Sequence, residues 1–335
     1  MKNLRQILKK LSFQRSPRTY YFPVWGRGVP IYDWNTILLN YAEIPRDGVL
    51  PFDQSKTIIM VESGGLAVTT APRQDVCLER QSVVDPDIVF QLDYPLKVKV
   101  TGYSGRTKDW TREWYYGTPE GQKQRTITMN IQNAREAMMW KEKNGRDFDI
   151  MGIIHAYDRK SLIFATSELV SLGYDVFGLG AKHFIHPTRE GWVELENHMV
   201  VRDIIGKHAW LHALGITDPK YLVHIKGLID SFDSASSLFS ANKGVYITPD
   251  NKRISIAVRM KTDKGFSASL IHMNPEVVKM VQTNDSLVDD PEILAEVRSQ
   301  VKVMQDAKTG TDKTFILKTI NHENLIRYWR RIVWN

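Results

Sequence analysis

Asp233 closes the segment Gly227-Leu-Ile-Asp-Ser-Phe-Asp-Ser234, in which a short apolar run ends in a carboxylate followed by small, turn-forming residues. Three other segments share that design: Thr57-Ile-Ile-Met-Val-Glu-Ser-Gly-Gly65, Asp87-Ile-Val-Phe-Gln-Leu-Asp93 and Asp149-Ile-Met-Gly-Ile-Ile-His155. Parallel α/β folds gather their ligand-facing residues at the ends of strands. Glu62, Asp93, His155 and Asp233 are therefore expected to form one polar cluster drawn from distant parts of the chain. Two carboxylates flanking a sugar C1 atom can exchange its substituent through a covalent glycosyl intermediate, one as nucleophile and the other moving protons. Asp233 and Glu62 are a candidate pair. Asp93 suits recognition, because a carboxylate accepts two parallel hydrogen bonds and guanine presents N1–H and an exocyclic amine side by side. His155 is a candidate partner for a base carbonyl or ring nitrogen, and a satisfied histidine of the pocket wall is an equal reading. Ser63, Gly64 and Gly65 after Glu62, and Gly180 with Ala181, are small enough to let a flat ligand approach the backbone. The competing readings are caps and loop hydrogen bonds for the acids, and close strand–helix packing for the small residues.

A second group of residues is suited to a polyanion. Between Lys97 and Tyr116, Arg106, Lys108 and Arg112 interleave with Trp110, Trp114, Tyr115 and Tyr116, a composition that can pair phosphates and stack bases. A solvated loop around a small aromatic cluster is the alternative. Lys243 is a further candidate phosphate contact. The formal net charge of +7 favours anionic partners without specifying one.

The elements needed to position these residues can be read from the pattern. A helix is expected near Thr126 to Asn144, with Ile127, Ile131, Ala134 and Met138 at helical spacing. Asp158 is placed to cap the next helix, whose stripe is Leu162, Ala165, Leu169 and Leu172 and which Gly173 ends. Strands are expected at Tyr174 to Gly180, Ala209 to Gly215 and Gly227 to Asp233, with a helix from Thr188 to Ile205 and a short one from Pro219. Such alternation implies a parallel sheet. Neither a G-x-G-x-x-G nor a Walker A motif is present, which favours a closed (β/α)8 TIM-type barrel over an open nucleotide-binding sheet. Beyond Ser234, Val245 to Thr248 and Ile254 to Val258 read as a hairpin around Pro249-Asp-Asn-Lys, followed by helices at Pro291 to Asp306 and about Asn321 to Val333. Tyr20 to Trp25 reads as core or lid. The chain is expected to be one domain over 1–335, with the basic and aromatic insertion at about 97–125 and a helical C-terminal region at about 285–335.

Composition excludes several classes. Cys77 is the single cysteine, so an internal disulfide and a multi-thiolate zinc site are impossible and a reducing, cytoplasmic setting is expected. No apolar run is long enough to span a membrane. Lys9 and Lys10 interrupt the apolar N-terminal residues, which predicts a basic amphipathic surface helix instead of a secretory signal.

Taken together, the motifs resemble the tRNA-guanine transglycosylase superfamily. Val61-Glu-Ser-Gly-Gly65 is similar to its T-D-S-G-G element, and Asp87 to Asp93 to the strand whose terminal Asp recognises the base. Gly152-Ile-Ile-His155 is similar to G-I-x-Q, Tyr174 to Ala181 to G-[YF]-D-G-Y-A-[IV]-G-G, His212 to Ile216 to L-M-G-V, and Gly227 to Ser234 to G-[IV]-D-x-F-D. The resemblance covers about Thr57 to Ser237 and implies a (β/α)8 barrel with Asp233 as nucleophile, Glu62 as the proton-transferring acid and Asp93 as base reader. It differs in Glu62 for Asp, His155 for Gln, Ala181 for Gly and Leu66 for an aromatic, with Leu214 on the other side of the base. The C-x-C-x2-C zinc ligands are missing, although Asn321 to Tyr328 resembles the helix carrying the family's zinc histidine, which makes His322 a former ligand. These departures resemble the DNA 7-deazaguanine transglycosylases of the DpdA type. The implied reaction replaces guanine in DNA by a 7-deazaguanine, 7-cyano-7-deazaguanine being the expected co-substrate, with no metal and no cofactor. A divergent enzyme acting on tRNA and a catalytically silent nucleic-acid-binding subunit are the alternatives, and a second copy of the chain or a DNA-opening protein are the partners left open.

Overall fold

The computed structural model describes residues 19–25, 36–64, 73–94, 119–180, 190–216, 219–262 and 265–334. The N-terminal helix expectation, Gly65, Leu66, Ala181, and Arg106, Lys108 and Arg112 of the insertion lie outside the described residues. Contacts divide the chain into two compact units, one ending at Asp233 and one comprising residues 25–32 and 234–335.

In the first unit, eight strands close into a barrel in sequence order: β1 (Tyr20–Trp25), β2 (Thr36–Leu39), β3 (Ile58–Val61), β4 (Ile88–Phe90), β5 (Asp149–Ile154), β6 (Val176–Gly180), β7 (Trp210–Leu214) and β8 (Ser231–Ser234). Helices α1 (Gln74–Ser82), α2 (Glu120–Asn144), α3 (Arg159–Ser171), α4 (Glu190–Ile205) and α5 (Pro219–Ile225) connect successive strands from β3 onward, giving the (β/α)8 TIM-type barrel. Strands β2 to β6 are buried at every position. That explains why they read as unbroken apolar runs, since the barrel lumen takes one face and the helices the other. Residues two apart share a face. Leu38, Ile58 and Met60, Ile88 and Phe90, Met151 and Ile153, Val176 and Trp210 form one interior cluster with Phe22. Continuing the same alternation brings Glu62, His155, Gly180, His212, Leu214, Ser231 and Asp233 onto the inward face at or near the strand ends.

Several boundaries differ from the sequence reading. Strand β8 begins at Ser231, because Leu228 N and Ile229 N both donate to Ile225 O and close a turn behind α5. Asp230, inside the strand expected at Gly227 to Asp233, therefore lies before it. Helix α2 begins at Glu120, inside the expected insertion, since its first two turns are polar and show no apolar period. Helix α3 is capped as expected: Asp158 accepts from Ser161 N at 2.7 Å, and Ser161 Oγ completes a capping box.

Acids at the beginnings of strands tie the barrel together. Asp87 Oδ2 accepts from Ile59 N at 2.9 Å, and Asp149 pairs with Lys141 at 3.5 Å. Asp230 Oδ2 accepts from Leu211 N and from Arg202 Nη2, both at 2.7 Å. Arg202 also donates to Leu228 O at 2.7 Å and Ala209 O at 2.8 Å, so one guanidinium satisfies the turns that precede β7 and β8. Arg202→Ala leaves these carbonyls without their side-chain donor and the half-buried Asp230 carboxylate with Leu211 N alone, and is expected to cost about 2–4 kcal/mol. Denaturant unfolding measures this, and a change below about 0.5 kcal/mol would show that the arginine does not anchor these turns.

The second unit contains α6 (Ser236–Asn242), the antiparallel pairs β9 (Val245–Ile247) with β10 (Arg253–Ser255) and β11 (Ala257–Thr262) with β12 (Gly265–Met273), and helices α7 (Pro275–Thr283), α8 (Pro291–Asp306) and α9 (Gly310–Trp334). Helix α8 follows the sequence reading, and so does the first hairpin as far as Ser255, whereas Ala257 and Val258, expected in its second strand, begin β11 and pair with β12 instead. Helix α9 starts about three turns earlier than expected. Asn321 and Asn324 of this helix turn to β9: Asn321 Oδ1 accepts from Ile247 N at 2.7 Å, and Asn324 Nδ2 donates to Ile247 O at 2.8 Å. His322 is fully buried with Nδ1 2.9 Å from Ser237 Oγ. Burial pushes its pKa down to about 3, so it serves as a neutral packing residue. Lys243 ends α6 and is exposed.

Candidate active site

Glu62 follows β3 directly and is the third inward position of that strand. Its Oε1 accepts from Asn40 Nδ2. The orientation of the Asn40 amide is fixed, because its Oδ1 caps the short helix Tyr41–Glu43 by accepting from Ala42 N at 2.9 Å. Part of the Glu62 residue surface remains accessible, but its carboxyl group lies deep among protein atoms. Burial first, then the negative charges of Asp233 and Asp93, push its pKa to about 8, against which the Asn40 hydrogen bond acts weakly. At neutral pH Glu62 is therefore a protonated acid flanked by two carboxylates.

Asp93 does not end strand β4, which stops at Phe90. It stands on a short segment held by side-chain amides from two helices. Gln74 Oε1 of α1 accepts from Leu92 N at 2.8 Å. Asn133 Nδ2 of α2 donates to Leu92 O at 3.0 Å, and Asn130 brackets Tyr94, accepting from its N at 2.8 Å and donating to its O at 2.9 Å. The carboxylate itself is oriented from both sides: Ser63 Oγ donates to Oδ1 at 2.6 Å, and His155 Nε2 lies 2.8 Å from Oδ2. Ser63 and His155 are buried, whereas Asp93 is partly exposed. His155 thus acts on its surroundings through Asp93. Gly64 has φ +71°, and a Cβ there would lie 2.8 Å from Tyr41 Cβ, so the chain itself requires a glycine after Ser63.

Asp233 lies on β8, only 7% exposed, and its Oδ1 takes two hydrogen bonds: from Gly215 N at 2.7 Å and from His212 Nε2 at 3.1 Å. Gly215 has φ +65°, a left-handed conformation natural to glycine, immediately after β7, and there its N–H serves Asp233. Gly180 and Leu214 are register partners at the ends of β6 and β7, so these two candidates stand side by side. Cys77 Sγ lies 3.7 Å from Ser63 O, and burial pushes its thiol up to about 12, which makes it an inert neighbour and not a nucleophile.

The first unit thus brings together Glu62, Ser63, Gly64, Asp93, His155, Gly180, Leu214 and Asp233. Lys243 belongs to the second unit and Arg106, Lys108 and Arg112 are outside the described residues. The sequence reading missed Asn40, Gly215, Ser231 and the role of His212. The signal for the last two was the period of two, which places them on the same face as Asp233. No family model matches the chain, and no curated protein matches it in sequence. Among the described residues, no helix is long and apolar enough to cross a membrane.

Proposed function

We propose that the chain is a base-exchange transglycosylase that replaces guanine in DNA by a 7-deazaguanine, 7-cyano-7-deazaguanine being the incoming base. The observation that carries this reading is the division of labour between two inward carboxyl groups: Glu62, raised to about 8 and protonated at neutral pH, and Asp233, oriented by two donors on one oxygen. A pair with environments pushed apart is what acid and nucleophile require. Asp233 attacks C1′ of the target nucleoside, the C1′–N9 bond breaks with its electron pair going to the base, and Glu62 gives that base a proton. The incoming base then loses its N9 proton to the Glu62 carboxylate and attacks C1′, expelling Asp233. Asp93, steadied by Ser63 and His155, accepts from the N1–H and amine of either base. Because C1′ is hindered in a duplex, the target nucleotide must be flipped or single-stranded.

The test supplies labelled guanine to the purified chain with either DNA or tRNA. Incorporation into DNA is the expected result, and nucleoside mass spectrometry with a 7-deazaguanine source identifies the inserted base. Incorporation into tRNA alone would move the same chemistry to the other polymer. Exchange into neither would overturn the reading.

A further inference from the structure

Asp233 has a buried hydrogen-bonded chain behind it. Trp210 Nε1 donates to Ser231 Oγ at 2.7 Å, Ser231 Oγ lies 2.7 Å from His212 Nδ1, and His212 Nε2 lies 3.1 Å from Asp233 Oδ1. His212 and Ser231 are fully buried register partners on β7 and β8, and the imidazole is walled by the rings of Phe22 and Phe90 at 5.9 and 6.2 Å. Polarity along such a chain is set by its ends. The indole can only donate and takes one Ser231 lone pair, and the Asp233 carboxylate can only accept, so a neutral imidazole donates from Nε2 and receives the Ser231 hydroxyl proton at Nδ1. Nδ1 must then be the bare nitrogen and Nε2 must carry the proton, which suits a charged carboxylate beyond it. The reverse tautomer would set a lone pair against Asp233 Oδ1.

We infer that Trp210, Ser231 and His212 form a positioning relay that fixes the His212 Nε2–H tautomer and thereby selects Oδ2 of Asp233 as the attacking oxygen. Oδ1 is engaged by His212 and by Gly215 N, and among the described residues no hydrogen bond is made to Oδ2. The bond to C1′ forms from Oδ2 as the C1′–N9 bond breaks, and the charge leaves Asp233 as the ester forms. Oδ1 becomes the ester carbonyl oxygen and keeps both donors. In the return step the same donors receive the charge that reappears on the carboxylate. His212 touches neither sugar nor base in this scheme. It acts through Asp233, much as a buried partner holds the tautomer of a catalytic histidine in other enzymes.

The inference rests on the nucleophile reading of Asp233, and the experiment separates the two. Nitrogen-15 histidine spectra of the full chain, assigned by comparison with His212→Phe, report the tautomer without requiring any reaction. The expected result is Nε2–H at His212, with an Nδ1–H population appearing in Ser231→Ala. In single-turnover assays with single-stranded DNA containing guanine, Ser231→Ala is expected to form the covalent adduct about 10- to 100-fold more slowly while binding the DNA with unchanged affinity. An Nδ1–H tautomer in the unaltered protein, or adduct formation at the unaltered rate in Ser231→Ala, overturns the relay. Absence of any adduct from the unaltered protein overturns the nucleophile reading itself, and with it the role given to the relay.

Discussion

Asp233→Asn is expected to abolish base exchange, with a loss of about 10⁴-fold or more, while leaving polymer binding intact. The substitution keeps shape and hydrogen bonding. The carboxamide oxygen can take the place of Oδ1 and accept from Gly215 N and His212 Nε2, which are 2.7 and 3.1 Å from it in the unaltered protein. The amide nitrogen then stands where Oδ2 stood, with no lone pair available to attack C1′. Loss of the negative charge also removes one of the influences that raise Glu62, so the Glu62 pKa is expected to fall in this variant. Denaturing electrophoresis of DNA-treated protein and incorporation of labelled guanine check the outcome. An Asn variant that still forms the adduct, or exchanges bases at the unaltered rate, would remove Asp233 from the mechanism.

Glu62→Gln has two expected effects of opposite sign. In activity it removes the proton donor to the leaving base, for a loss of about 10²- to 10⁴-fold. Under the proposed function the unaltered protein should also release the departing base more slowly as pH rises past about 8, because the acid form disappears. In stability the variant should gain. Glu62 is raised from 4.5 to about 8 on folding, so between these values the folded state holds a proton that the unfolded state has released. Its contribution is fully present below the unfolded value and is lost as pH rises through the folded one. Glutamine has no such dependence, and the gap in stability should widen in its favour from pH 5 to pH 8, reaching on the order of 1–3 kcal/mol. Denaturant midpoints of both proteins across that range measure the gap. A gap that stays constant would show that Glu62 is not a raised acid.

Much of the barrel was legible because its strands are buried on both faces and so appear as short apolar runs. The polar residues that end the runs at Glu62 and His155 reached the site for the same reason, by parity with the interior residues Met60 and Ile153, and Asp233 by parity with Ser231, whose hydroxyl meets the interior Trp210. Asp93 was found through its position after an apolar run, yet its placement depends on amides of Gln74, Asn130 and Asn133 that no local pattern reveals. His212 sits in mid-strand, so its partner Ser231, to which Trp210 also donates, emerges only when β7 and β8 are laid in register. Strands β1 and β2 escaped recognition as barrel strands, the first because Tyr20 to Trp25 is largely aromatic and the second because four residues give too short a period to read. Gly227 to Asp230 was misread because an apolar turn and an apolar strand have the same composition.

Carboxylates occupy both ends of the barrel strands and have different histories available to them. Asp87 and Asp230 take their hydrogen bonds from neighbouring backbone and from Arg202, so changing them erodes a stability margin of about 5–15 kcal/mol for a domain. Glu62 is buried beside two other carboxyl groups, and substitution there relieves repulsion instead of adding it. Under the proposed function, substitution at Glu62 costs activity and not folded protein, whereas substitution of Asp87 or Asp230 at the opposite strand ends costs folded protein first. Chemistry and closure of the barrel are then separable traits, held at opposite ends of the same strands.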